Sequence, residues 1–469
     1  MVIKSAYGFA LAAALSVLTL PALAQDNDTD AISRGRAVAT AGDCSACHQD
    51  HRPGGSAFGG GLEIVSPVGS IYASNITPDK QHGIGAWTFE QFRDAMTKGE
   101  SPTKGMLYPA MPYTAYTNMS DDDLHALYTY LMTGVQPSDH EPPVTELPFP
   151  FVRQAMHAWN LLFLHTAGSA GATAPAGSVA RGQYVAQALE HCSTCHTPRN
   201  DFFAENTSKL LSGAQVGSWF APNITSDKTG IGAWSDEELT QFLTQGHNDH
   251  ASAGGDMGLA VQRSLSRLPP EDIRALVAYL RSLPPVSTPH AAGRAHAPAP
   301  VDVAAVEPQQ HFDIATLANG SSRDGAQLYQ SACAACHAAN GTGTVDKTHP
   351  DLASNSTVLL ASPNNLILTI AEGVHRTVNG QKTAMPGFSA DLNNAQIAAL
   401  ATYVRQTIGG LASSPAITVE DVVRVRGGDV QQNWLTHYAK PLAIVGLIVL
   451  AIIVLLIGSR LKRRKVIPN

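Results

Sequence analysis

The six cysteines of this chain fall into three pairs of one kind. "CSACH" places Cys44, Cys47 and His48 together, "CSTCH" places Cys192, Cys195 and His196, and "CAACH" places Cys333, Cys336 and His337. Three disulfides would use six cysteines, but nothing in that arrangement requires a histidine after every pair, and two intervening residues make the very small ring of a redox motif. Zinc takes four ligands, often from two such pairs, and three pairs do not divide that way. A thioredoxin-like motif would occur once, in a βαβ setting. The chemistry that uses all three residues is covalent haem attachment. Two thiols one helical turn apart form thioethers to the two vinyl groups of one haem, and the adjacent histidine coordinates the iron. Three motifs predict three haems c.

The residue on the far side of each iron decides the chemistry. An open position permits oxygen or peroxide reactions, whereas a methionine or histidine leaves electron transfer and methionine raises the potential. Each unit offers a methionine between its histidine and its closing helix: Met111 in "YPAMPY", Met257 in "GGDMGLA" and Met385 in "TAMPGF". Proline stiffens the first and third of these loops. Met257 lacks it. Met106 and Met119 compete in the first unit, and His247 and His250 in the second.

The elements that must position these residues repeat as well. "SRGRAVATAG", "ARGQYVAQAL" and "RDGAQLYQSA" precede the three motifs, with Gly35, Gly182 and Gly325 inside a helical pattern. Glycine weakens a helix, so a close helix crossing is its expected reason. The partner is the closing helix, where Leu124, Leu127, Tyr128 and Leu131 follow an i, i+3, i+4, i+7 pattern. Ile273, Leu276, Val277 and Leu280 repeat it, as do Ile397, Leu400, Ala401 and Val404, with Tyr130, Tyr279 and Tyr403 at one common place. Units one and two also share "NIT" at Asn75 and Asn223 and "GIGAW", ending in Trp87 and Trp234, which are expected to pack on haem or in the core.

The fold expected is mainly α: three tandem cytochrome c-type haem domains, at residues 30–138, 178–285 and 320–410, plus one C-terminal transmembrane helix. Residues 139–177 form an apolar connector and small-residue linker, and 286–319 a Pro/Ala-rich linker. Residues 1–24 carry Lys4, an apolar stretch and a small-residue site before Gln25, the pattern of a signal peptide. Residues 411–440 lead into 441–459, an uncharged aliphatic run of about 28 Å as a helix. The basic tail 460–469 should remain cytoplasmic, which places the haem domains on the periplasmic side of the inner membrane. The net charge is −7, with no basic stretch outside that tail, so nucleic acid is excluded as a partner. Aromatics make up 6% of the chain, and haem would supply apolar core that the side chains do not.

Taken together, "CSACH", "NITPDK", "GIGAW", "YPAMPY", "HCSTCHTPR", "CAACH" and "AMPGF" resemble the three-haem cytochrome c subunit of membrane-bound bacterial dehydrogenases, those of gluconate, sorbitol, fructose and alcohol. "ITVEDVVRVRGG" and the apolar run after it resemble the subunits that accompany flavin-containing dehydrogenases, gluconate 2-dehydrogenase among them. The resemblance implies a large FAD-bearing subunit, a small third subunit and ubiquinone as electron acceptor. The chain has no dinucleotide-binding glycine motif of its own. The expected function is electron transfer from that catalytic subunit to ubiquinone, with no catalysis on substrate by this chain. The quinoprotein alcohol dehydrogenase subunit, a haem subunit feeding a terminal oxidase, and a peroxidase are the alternatives.

Overall fold

The computed structural model describes residues 20–66, 69–147, 152–166, 168–288, 320–344 and 349–428, with isolated positions at 438, 441, 452 and 456. Three helical units follow one another. The first holds α1 (Leu20–Ala41), α2 (Cys44–His48), α3 (Phe89–Lys98), α4 (Tyr113–Tyr116) and α5 (Asp121–Thr129). A connector helix, α6 (Val152–Phe163), leads to the second unit: α7 (Val179–Tyr184), α8 (Cys192–His196), α9 (Asp236–Gln245), α10 (Gly255–Arg263) and α11 (Pro270–Ser282). The third comprises α12 (Gly325–Ala332), α13 (Ala334–His337), α14 (Ser356–Leu359), α15 (Asn364–Glu372), α16 (Asn394–Tyr403) and α17 (Val419–Arg426).

Strands are confined to four antiparallel two-stranded ribbons among the described residues. These are β1 (Glu63–Ser66) with β2 (Gly69–Tyr72), β3 (Glu100–Ser101) with β4 (Gly105–Met106), β5 (Ala214–Val216) with β6 (Trp219–Ala221), and β7 (Val374–Val378) with β8 (Gln381–Met385). In the last ribbon Val374 lies opposite Met385.

Each unit is organised by the crossing of its opening and closing helices. A Cβ on Gly35 would stand 1.9 Å from the Ala126 carbonyl oxygen; on Gly182, 1.9 Å from that of Ala275; on Gly325, 2.5 Å from that of Ala399. Tyr130, Tyr279 and Tyr403 press on the same three glycines. The glycines therefore admit a neighbouring backbone where no other residue fits. Arg34 and Arg181, each just before its glycine, brace the crossing by pairing with Asp123 and Asp272 at 2.9 and 2.7 Å. In the third unit Asp324 takes that place and caps α12 instead.

The helix starts explain the shared "GIGAW". Thr88 and Ser235, directly after Trp87 and Trp234, form capping boxes with Gln91 and Glu238 at the heads of α3 and α9. The motif thus ends a turn and launches a helix, and the tryptophan is fixed at the joint.

The cores interlock across units. Tyr184, Ala188 and Leu189 of unit two belong to the apolar cluster of unit one. Val378 of unit three joins the cluster of unit two, and Trp219 of unit two packs on that of unit three. The Tyr184 hydroxyl donates to Asp123 at 2.5 Å and accepts from the Ser120 N–H. Helix α17 buries Val422 and Val425 in the third core.

One expectation is corrected here. Among the described residues no helix is long and apolar enough to cross a membrane, so the C-terminal transmembrane helix does not stand as part of the fold. An aliphatic run in sequence satisfies only the length and hydropathy conditions, and residues 441–459 lie outside the described residues apart from 441, 452 and 456. The basic tail and the first 19 residues of the expected signal peptide also lie outside them.

The crossing carries a prediction. Gly182→Ala forces α7 away from α11, and overpacking of this kind costs about 1–3 kcal/mol. The midpoint for unfolding of the second unit should fall accordingly in a thermal or urea titration, while Gly258→Ala, where the backbone is helical and a Cβ comes no closer than 3.4 Å to the Ala253 carbonyl oxygen, should show no such loss.

Candidate haem-binding sites

Each paired-thiol motif lies on its own short helix, where i and i+3 share a face. Cys44 and Cys47 are on α2, and Cys192 and Cys195 on α8. Cys333 caps α13 and Cys336 lies within it. No disulfide joins any of the six. Burial pushes Cys44, Cys195 and Cys333 up to about 12, Cys47 up to about 11, and Cys192 higher still. Such thiols stay protonated, unlike the thiolates of zinc sites and redox motifs. Among the described residues no three His, Cys, Asp or Glu side chains are grouped so as to hold a metal ion.

The histidine after each pair is held in one way in all three units. His48 Nδ1 donates to the Ser74 carbonyl at 2.6 Å, His196 Nδ1 to that of Pro222 at 2.7 Å, and His337 Nδ1 to that of Pro350 at 3.1 Å. A carbonyl oxygen can only accept, so the proton sits on Nδ1 and the Nε2 lone pair is left for a ligand. Burial lowers the pKa of all three imidazoles and favours this neutral form. The backbone is pinned too: the carbonyls of His48, His196 and His337 accept from Gly60, Gly213 and Gly343.

The accepting carbonyl is itself positioned by the residue after it. Asn75 Oδ1 accepts from the Thr77 N–H and hydroxyl, and Asn223 Oδ1 from the Thr225 N–H and hydroxyl. Their amides reach out to Ser138 and His140, and to Val286 and Thr229. In unit three Asp351 does the same work: its carboxylate accepts from the Ala353 N–H and the Ser354 hydroxyl. Sequence reading saw the repeated "NIT" but not this role, and it found no counterpart in unit three. The signal was "PNIT" against "PDLA", an Asx residue after the carbonyl that holds the histidine.

A continuous cavity of about 2500 Å³ runs past the first two motifs. Cys44, Cys47, His48, Trp87 and Met111 line its first part, and Cys192, Cys195, His196, Trp234 and Met257 its second. Met106 and Met119 are core-buried and do not line it. In unit two His250 also faces the cavity, but it is bonded to Glu238 at 3.1 Å and stacked on Trp234. His247 does not line the cavity. Lys104 and Arg153 face the first part, and Lys209 and Lys228 the second, as cations suited to carboxylates on the edge of a flat apolar group. Met385 ends β8 in the third unit, away from this cavity. The first two units thus offer paired thiols, a neutral imidazole with free Nε2, apolar walls and edge cations, a donor set that fits haem, and the third repeats the thiols and the imidazole.

Thiols presented in pairs for covalent attachment beside such an imidazole define a covalent haem protein. The chain belongs to the cytochrome c family, whose model matches residues 32–134, 179–284 and 322–407, and the domains of that family carry covalently bound haem c. It is 41% identical over 87% of its length to the fructose dehydrogenase cytochrome subunit of Gluconobacter japonicus, 85% of which is covered. It is 35% identical over 90% of its length to the gluconate 2-dehydrogenase cytochrome c subunit of Pantoea cypripedii, 96% of which is covered. The cytochrome c subunit of quinone alcohol dehydrogenase from Gluconacetobacter polyoxogenes is 35% identical over 88% of each chain.

The Asx turns can be tested. Asn223→Ala releases the Pro222 carbonyl and leaves buried partners unpaired, at a cost of about 1–3 kcal/mol. In the haem-loaded protein His196 would bind iron through Nε2, and a less firmly held imidazole yields to protonation more readily. Its displacement by acid, followed in the visible spectrum, should therefore move to higher pH than in the unsubstituted protein.

Proposed function

We propose that this chain carries three haems c and relays electrons singly from the catalytic subunit of a sugar- or polyol-oxidising dehydrogenase to ubiquinone. The observation that carries the reading is the threefold recurrence of a thiol pair beside a histidine committed through Nδ1 to a backbone carbonyl. Cys44 and Cys47, Cys192 and Cys195, and Cys333 and Cys336 would each hold one haem through thioethers. His48, His196 and His337 would supply the nearer axial nitrogen, and Met111, Met257 and Met385 the farther sulfur. When bound, haem supplies a one-electron iron couple, and a methionine ligand raises its potential.

The residues do the rest of the work. The carbonyl-held imidazoles keep the nearer ligand neutral and fixed in orientation. Met111, Met257 and Met385 would hold iron through sulfur, which would disfavour the oxygen chemistry of a peroxidase. Trp87 and Trp234 wall the two halves of the shared cavity. The catalytic partner is read as a large flavoprotein with a small third subunit, supported by the similarity to the fructose and gluconate dehydrogenase cytochrome subunits. Residues 1–24 would export the chain, and the haem domains would work on the periplasmic side of the inner membrane.

The full chain, produced with haem attachment, should show three haems per polypeptide. Met385→Leu should keep all three, lower one of the three potentials and remove one site's share of the sulfur-to-iron charge-transfer absorption. An unchanged spectrum and unchanged potentials would exclude Met385 as a ligand. In the copurified complex, sugar-dependent reduction of a ubiquinone analogue should be lost when His48, His196 or His337 is replaced by Ala. A partner carrying copper in place of flavin would instead place the chain with a terminal oxidase.

A further inference from the structure

Helix α10 lies in unit two between α9 and the closing helix, and it touches all three units. It presents Met257 to the second part of the shared cavity. At its C-terminal end Arg263 donates to the Ser45 carbonyl at 2.6 Å, and Ser45 lies between the two haem-attaching cysteines of unit one. Among charged neighbours, Arg263 also acts most strongly on the buried carboxylate of Asp43, beside Cys44. The preceding residue, Gln262, accepts from the Thr377 N–H at 2.6 Å. Thr377 is on β7, the strand paired with the one that ends in Met385. At the other end of α10, the buried guanidinium of Arg376, also on β7, donates to the Ala253 carbonyl at 2.8 Å and the Ser252 hydroxyl at 3.1 Å. Strand β7 therefore grips α10 before its start and near its finish, while Arg263 ties the same helix to α2.

We propose that α10 is the strut that fixes the three haem sites relative to one another, with Arg263, Gln262 and Arg376 as its positioning residues. This rests on the three-haem reading above. Transfer between fixed centres falls steeply with their separation, and a helix bonded to both neighbouring units holds that separation in addition to burying apolar surface. A rigid helix also does for Met257 what proline does for Met111 and Met385. Arg263 acts on unit one through a charge-assisted hydrogen bond to a backbone carbonyl, an interaction that also holds when only one N–H donor remains.

The test uses the full-length haem-loaded chain and three variants, Arg263→Met, Arg263→Lys and Gln262→Ala. Hydrogen exchange, potentiometric titration and haem content are measured on each. Loss of one charge-assisted bond at an interface should raise exchange across residues 44–48 by about tenfold or more in Arg263→Met. The same variant should lower the potential of one haem, because a fixed positive charge that disfavoured oxidised iron is gone. Arg263→Lys keeps a charge and a donor and should restore both. Gln262→Ala should raise exchange across residues 374–378 and leave 44–48 as it was. The proposal is overturned if Arg263→Met and Gln262→Ala retain three haems with unchanged exchange and potentials. Fewer than three haems in the unsubstituted chain would overturn the three-haem reading first, and this inference with it.

Discussion

A backbone carbonyl of the closing helix occupies the place where a side chain of the opening helix would be. That contact, made at Gly35, Gly182 and Gly325, is the constraint on which each unit depends. It brings two helices closer than any side chain on the opening helix would allow and so fixes where that helix runs. The paired-thiol helix follows within a few residues in each unit, and its place is inherited from the crossing. The rule that glycine weakens a helix still holds, but the energy is recovered by packing that no larger residue can make.

From that frame the site is assembled by hydrogen bonds of decreasing regularity. The histidine carbonyl is pinned by a glycine N–H, and its Nδ1 by a second backbone carbonyl, in all three units. The Asx residue that steadies this carbonyl is asparagine twice and aspartate once. The three candidate methionines vary most in setting, lying on a Met-Pro loop, a helix and a strand end. This order has a physical reason. The near side must hold one imidazole tautomer in one orientation, which few backbone geometries achieve. A thioether on a flexible stem can be delivered from many directions.

The units are also more closely joined than tandem beads. Tyr184 of the second unit is buried in the first unit's core and satisfies Asp123 there, and Arg376 of the third is buried against the second. Apolar area that no single small domain could cover is covered by its neighbour, which matters for units poor in aromatic side chains. The same shared burial lets the first two motifs open into one cavity.

Sequence alone marked three candidate sites of one kind. Three short-range motifs with one spacing state their chemistry locally, since two thiols and an imidazole within about one helical turn need no distant partner to be recognised. The glycine crossings were legible for a related reason: a helix-weakening residue inside a helical pattern asks for a close neighbour, and the closing helix was the apolar partner at hand. Tertiary structure alone decided the rest. It showed that Ser74, Pro222 and Pro350 hold the histidines, because a backbone carbonyl leaves no trace in residue type. It made Asp351 the counterpart of Asn75 and Asn223, and it placed Met257 on a helix bound to both neighbouring units. The aliphatic run at 441–459 marks the limit of the local reading. Hydropathy and length state what a segment could do, and the described helices include none that crosses a membrane.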